Sequence, residues 1–77
     1  MPHVIVKTHA GRTERQTAKL AEQVTQAVMA ALKLGEESVS VAIEDVRPED
    51  WVEQVYKPDI LRNLTKIYKK PGYDPLG

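Results

Sequence analysis

The sequence predicts an α/β fold: one β-α-β subunit, residues 1–77, with an additional C-terminal helix and a sheet completed by oligomerisation. Three observations carry this. A β-branched run, Val4-Ile5-Val6, opens the chain. A strictly alternating run, Ser38 to Glu44, follows later. Between them lies one long amphipathic stretch that begins on a capping box. Strand, helix and strand in that order imply a right-handed parallel crossover. Such a unit leaves both strand edges open and covers one face of its sheet, so a second copy is expected to extend it.

Size and composition support that expectation. A chain of 77 residues buries only about 60% of its unfolded surface and needs a staple. There is no cysteine, which removes disulfides and thiolate metal sites, and His3 and His9 are the only histidines, too few for a structural zinc. Association between copies is the staple left. Lysine plus arginine equals aspartate plus glutamate, 11 each, which gives no electrostatic case for nucleic acid or for an anionic membrane. No apolar run is long enough to span a bilayer and no signal peptide is present, so a cytoplasmic protein is expected. No phosphate-cradling glycine loop or ligand cluster implies a cofactor or metal.

The first strand is expected over 2–8, with Pro2, Val4, Val6 and Thr8 on one face and His3, Ile5 and Lys7 on the other. His9 to Arg12 form a loop with Gly11 as its flexible point. Thr13 caps a helix from Glu14 to about Lys33, Gln16 completing the box. Its apolar stripe runs through Leu20, Val24, Val28 and Leu32, and Gly35 is its left-handed stop. The second strand, 38–44, points Val39, Val41 and Ile43 one way and Ser38, Ser40 and Ala42 the other. Pro48 opens a helical turn that projects Trp51, the one very large apolar surface in a chain without phenylalanine. Pro58 starts a further helix, with Ile60, Leu61, Leu64, Ile67 and Tyr68 on one stripe, closed by Lys69-Lys70 and ended by Pro71-Gly72.

Met1-Pro2 carries the chemistry. Removal of the initiator methionine leaves Pro2 with a free secondary amine, a base no side chain supplies. While Met1 remains, the same nitrogen is a tertiary amide without a proton. An α-amino group titrates near ~8; burial and a nearby cation would lower the Pro2 amine toward a useful working range. The plainer reading makes Pro2 a strand-start residue, Arg12 a solvated loop cation, Ser40 a filler of the strand face, and Trp51 core or interface. Lys7, Arg47 and Lys57 are further cations that the sequence does not rank against Arg12.

Met-Pro before a short strand, Gly11-Arg12-Thr13 opening a helix, and an alternating second strand in a very short chain together resemble the 4-oxalocrotonate tautomerase family. The later segments Val46 to Trp51 and Lys69 to Tyr73 look like its PptA-type branch. The resemblance implies a cofactor-independent enol–keto tautomerase in which Pro2 is the general acid/base and Arg12 contacts a substrate carboxylate or carbonyl. Better-known members carry a second arginine in strand two, where this chain has Ser40. Loss of that charge points away from dicarboxylates, toward 2-hydroxy-2-alkenoates or arylenolpyruvate-like monocarboxylates with Trp51 as an apolar wall. The implied partners are a small-molecule enol or keto acid and further copies of the chain, a dimer by the later segment and a hexamer in other members. The alternatives are a non-catalytic oligomeric binding protein of the same fold, or a hydratase or decarboxylase of the same superfamily.

Overall fold

The computed structural model describes residues Met1–Gly77. Strand β1 (His3–His9) and strand β2 (Ser40–Val46) form a two-stranded parallel sheet, joined by helix α1 (Glu14–Leu32). The register pairs His3 with Ser40 and His9 with Val46. Paired residues share a face, so Val4, Val6, Val41 and Ile43 point one way and Ile5, Lys7 and Ala42 the other. No helix is long and apolar enough to cross a membrane.

The start of α1 follows the sequence closely. Thr13 is extended and its hydroxyl accepts from the Gln16 N–H at 3.1 Å. The Gln16 side chain accepts from the Thr13 N–H at 3.0 Å, closing the capping box. Gly11 before it has φ +113°, a conformation that any side chain would strain.

The end of α1 differs from expectation. The left-handed residue is Lys33 (φ 56°), not Gly35, which sits in extended conformation ahead of a 3₁₀ turn, Glu36–Ser38. A lysine tolerates the left-handed cap there because its N–H bonds the Met29 carbonyl. The turn consumes Ser38, so β2 begins at Ser40, two residues later than the alternation suggested. The helix stripe is also rotated. Thr17, Ala21, Val24, Thr25, Val28 and Met29 are half-buried, while Leu20 and Leu32 are exposed. Thr25 is accommodated because its hydroxyl donates to the Ala21 carbonyl at 2.8 Å.

The C-terminal half holds the largest correction. A 3₁₀ turn, Pro48–Asp50, opens as predicted, with proline at its start. The chain then continues as a π-helical segment, Val52–Ile60, with Pro58 inside it. No new helix begins at Pro58. The ring survives because the wider i→i+5 winding moves the preceding carbonyls out of its way. The Pro58 carbonyl is in turn capped by the Asn63 side-chain amide at 2.8 Å. A 3₁₀ segment, Leu61–Lys66, follows with non-helical backbone at Asn63, so helical structure ends before Lys69-Lys70. The expected stripe is therefore broken. Ile60 and Ile67 turn inward while Leu61, Leu64 and Tyr68 are exposed.

Only Val46, at the end of β2, and Val55 and Tyr56, in the π-helical segment, are buried. None belongs to α1, so the helix–sheet layer is not closed by one copy. The Cα radius of gyration, 14.0 Å, exceeds the ~11.5 Å of a compact chain of this length. The protomer is a slab of 42 × 31 × 18 Å.

Candidate active site

Pro2 lies just ahead of β1, half-buried, while Met1 before it is fully exposed. The Pro2 carbonyl accepts from the Ser40 N–H at 3.2 Å, which ties the head of β1 to the head of β2. Ser40 also shares a hydrogen bond of 2.6 Å between its Oγ and Nδ1 of His3. The hydroxyl thus has a partner, His3, on the sheet face that these two paired residues share. In the chain with Met1 present the Pro2 nitrogen is an amide. Its geometry gives the location of the amine that removal of Met1 would create.

Arg12 and Trp51 lie at the other end of the sheet. Ala10 still follows the direction of β1, its N–H donating to the Val46 carbonyl at 2.9 Å. Arg12 comes two residues further on, beyond the glycine turn. Trp51 sits past the end of β2 with its ring edge-on to His9, centroids 4.8 Å apart and planes at 80°. The length of β1 separates Pro2 from Arg12 by roughly 20 Å. One chain therefore ties Pro2 to Ser40 and leaves Arg12 at the far end of β1.

The cations that the sequence left unranked now separate. Lys7 Nζ bonds Asp59 Oδ2 at 2.5 Å, Arg47 Nε bonds Asp50 Oδ2 at 2.9 Å, and Lys57 Nζ bonds Glu53 Oε1 at 2.6 Å. Arg12 is exposed and takes part in none of these pairs. Of these four cations it alone has no carboxylate partner. The Asp59 hydrogen bond holds the Lys7 ammonium above its ordinary value of 10.5, against some desolvation, with the charges of Asp59 and Glu44 adding to the rise.

Trp51 borders two cavities. The larger, ≈ 490 Å³, lies between Ile5 and Lys7 of β1 and Val55, Asp59 and Ile60 of the π-helical segment. The smaller, ≈ 300 Å³, lies between His9, Pro48, Val52 and the tail residues Tyr73 and Pro75. The indole Nε1–H donates to the Tyr73 hydroxyl at 2.9 Å, and the Tyr73 ring leans on Tyr56 with centroids 5.9 Å apart. Burial pushes the Tyr56 phenol above its ordinary 10.0, with Asp74 and Tyr73 adding to the rise. Tyr73 is a residue that sequence reasoning missed. A lone aromatic in a turn-rich tail has no periodicity to mark it.

Residues 2–57 match the family described as tautomerase enzyme. A probable tautomerase of Xylella fastidiosa (strain 9a5c) is 43% identical over 76 residues, spanning 99% of this chain and 93% of that protein. Tautomerase PptA of Cronobacter sakazakii is 37% identical over 75 residues, spanning 96% of this chain and 99% of that one. Among solved structures, TomN, a 4-oxalocrotonate tautomerase homologue in the tomaymycin biosynthetic pathway, superposes with a TM-score of 0.63 at 34% identity, over 65% of this chain and 77% of that one. YwhB, another homologue of 4-oxalocrotonate tautomerase, gives 0.58 at 43% identity, over 60% and 75%.

Proposed function

The chain belongs to the tautomerase family of isomerases, as its N-terminal pattern and later segment had suggested, and from that premise we propose that it is a cofactor-independent keto–enol tautomerase whose base is the amine of Pro2 after loss of Met1. The amine takes the proton of an enol hydroxyl. The electron pair of the broken O–H bond becomes the carbonyl π bond, and the C=C π pair takes a proton from the resulting prolinium at the carbon α to it. The substrates are 2-hydroxy-2-alkenoates or arylenolpyruvate-like acids. Arg12 pairs with the carboxylate, and Trp51 walls off water beside the apolar tail. Ser40 at the Pro2 end offers a neutral surface rather than a second cation.

The observation that carries the reading is the place of Pro2. It stands at the head of a strand, half-buried and tied to Ser40, with Met1 projecting fully into solvent where it is open to removal. The carboxylate and the reacting carbon of such an acid are two bonds apart, far closer than Pro2 and Arg12 of one chain. We therefore place each site between two copies, Pro2 and Ser40 of one facing Arg12 and Trp51 of the other, in a homodimer of cytoplasmic setting. The open protomer, with three buried residues and an exposed apolar fringe on α1, supports such pairing.

The test is Pro2→Ala beside the intact mass of the wild-type protein. Ketonisation of phenylenolpyruvate should fall about a hundredfold or more, as expected on losing a positioned acid/base, in a wild-type protein whose mass lacks Met1. Undiminished turnover by Pro2→Ala, or full activity with Met1 retained, removes Pro2 as the base.

A further inference from the structure

We propose that Tyr73 is a specificity-determining positioning residue: its hydroxyl holds Trp51 as the partition between two cavities, and so keeps the smaller one open as a slot for a flat aryl group. The proposal rests on the reading of Trp51 as a wall of the substrate site, and it reaches beyond the residues that match the family, which end at 57.

The anchoring runs outward from the core. Tyr56 is buried. Tyr73 leans its ring on it at 5.9 Å and presents its oxygen to the indole Nε1–H at 2.9 Å. The indole has no other hydrogen-bonding group, and this is its one hydrogen bond in the chain. On its other side, the His9 ring meets it at a centroid distance of 4.8 Å and 80°. Trp51 is thus fixed at two points, one from the tail and one from the end of β1.

The space on either side gives this fixation its effect. The larger cavity has apolar walls, Ile5, Val55 and Ile60, that can receive an indole turning away from Tyr73. The smaller, ≈ 300 Å³, is at the lower end of the range for ligand pockets. Its walls, His9, Trp51, Tyr73 and the rings of Pro48 and Pro75, are nearly all cyclic side chains, which suit a planar ring better than a flexible alkyl chain. A free indole would exchange volume between the two cavities and blur the slot. The Tyr73 hydroxyl retains its own O–H for water or for a polar ring substituent. The tail therefore selects the apolar end of the substrate, remote from the proton transfer.

The experiment uses the full-length protein and its Tyr73→Phe variant, which keeps the ring against Tyr56 and removes only the hydroxyl. Two quantities are read: acrylamide quenching of the emission of Trp51, the chain's one tryptophan, and calorimetric affinity for phenylpyruvate and for pyruvate. Tyr73→Phe should raise the quenching constant and weaken phenylpyruvate binding by about three- to tenfold, the worth of one neutral hydrogen bond, leaving pyruvate affinity as it was. In the Trp51→Phe background, which lacks the indole N–H, the same change should have no effect on the ratio of the two affinities. An unchanged ratio in Tyr73→Phe, equal weakening of both acids, or an effect that persists without the indole would overturn the proposal. Because both readouts need no turnover, an inactive wild-type protein would count against the tautomerase reading while binding still decides the role of Tyr73.

Discussion

Mixing two inactive variants tests whether each site is shared between copies. Pro2→Ala replaces the ring-held secondary amine with a freely rotating primary amine, a misplaced base, and Arg12→Ala removes the carboxylate partner at the opposite end of β1, roughly 20 Å away along the strand. Each variant alone should turn over a phenylenolpyruvate-like acid poorly at substrate concentrations below KM. Unfolded together in equal amounts and refolded, the chains pair at random, so about half of the dimers are hybrids. In a hybrid with shared sites, one site collects both substitutions and the other collects neither. One intact site in each hybrid amounts to about a quarter of all sites. The mixture should therefore recover close to 25% of wild-type activity, measured by the ultraviolet absorbance change on ketonisation. If Pro2 and Arg12 of the same chain served one site, every site in a hybrid would retain one lesion, and mixing would recover nothing. No gain over the average of the two variants, in a mixture shown by native mass to contain hybrids, would refute the shared-site reasoning.

Three further outcomes concern the fold. Val55→Ala, at one of the three buried positions, removes two carbons and should cost about 1.5–2 kcal/mol, lowering Tm by about 10 °C at fixed protein concentration; exposed Leu61→Ala should cost clearly less, and the reverse order in thermal melts would contradict the placement of the core. Thr13→Ala removes the hydroxyl that accepts from the Gln16 N–H, one of the two bonds of the capping box, and should cost about 1 kcal/mol, while Thr13→Ser should restore most of it in denaturant titrations. Stability should decline on the alkaline side: Lys7 and Tyr56 both have folded values raised above their ordinary 10.5 and 10.0, so each contributes in full below those values and loses its contribution as pH rises through the folded value. Tyr56→Phe should flatten the part of the alkaline decline due to the phenol, and an unaltered Tm–pH curve would remove Tyr56 as a contributor.

The elements legible in the sequence were those specified by neighbours along the chain. Thr13 and Gln16 announce the start of α1 because both partners of the capping box lie within one turn. The β-branched run announces β1, and Gly11 does take a positive φ. The misread positions depend on geometry that spacing does not encode. Lys33 replaced Gly35 as the helix stop because one N–H bond to Met29 suffices to hold a lysine in the left-handed region. Pro58 looked like a helix start because a proline at a first turn and a proline inside a wide turn look alike in a one-dimensional pattern. Pro2 and Arg12 were candidates on their chemistry alone, and β1, running His3–His9, puts a full strand length between them. The partners of Lys7 and Trp51, Asp59 and Tyr73, are distant in sequence and belong to no local motif.

The π-helical segment has a consequence for how the chain length itself is constrained. Its winding places between four and five residues in each turn, so Trp51, Val55 and Asp59 or Ile60 stack along one line and meet the same cavity. Deleting a single codon from Val52–Ile60 would tighten the winding and change both the height and the direction of Asp59 and the following residues about the axis. Asp59 would then leave Lys7, and Pro58 would meet a carbonyl that the wide turn now keeps clear. The number of residues between Trp51 and Asp59 is thus a heritable dimension of the pocket. Insertions and deletions there would reshape it more abruptly than most substitutions.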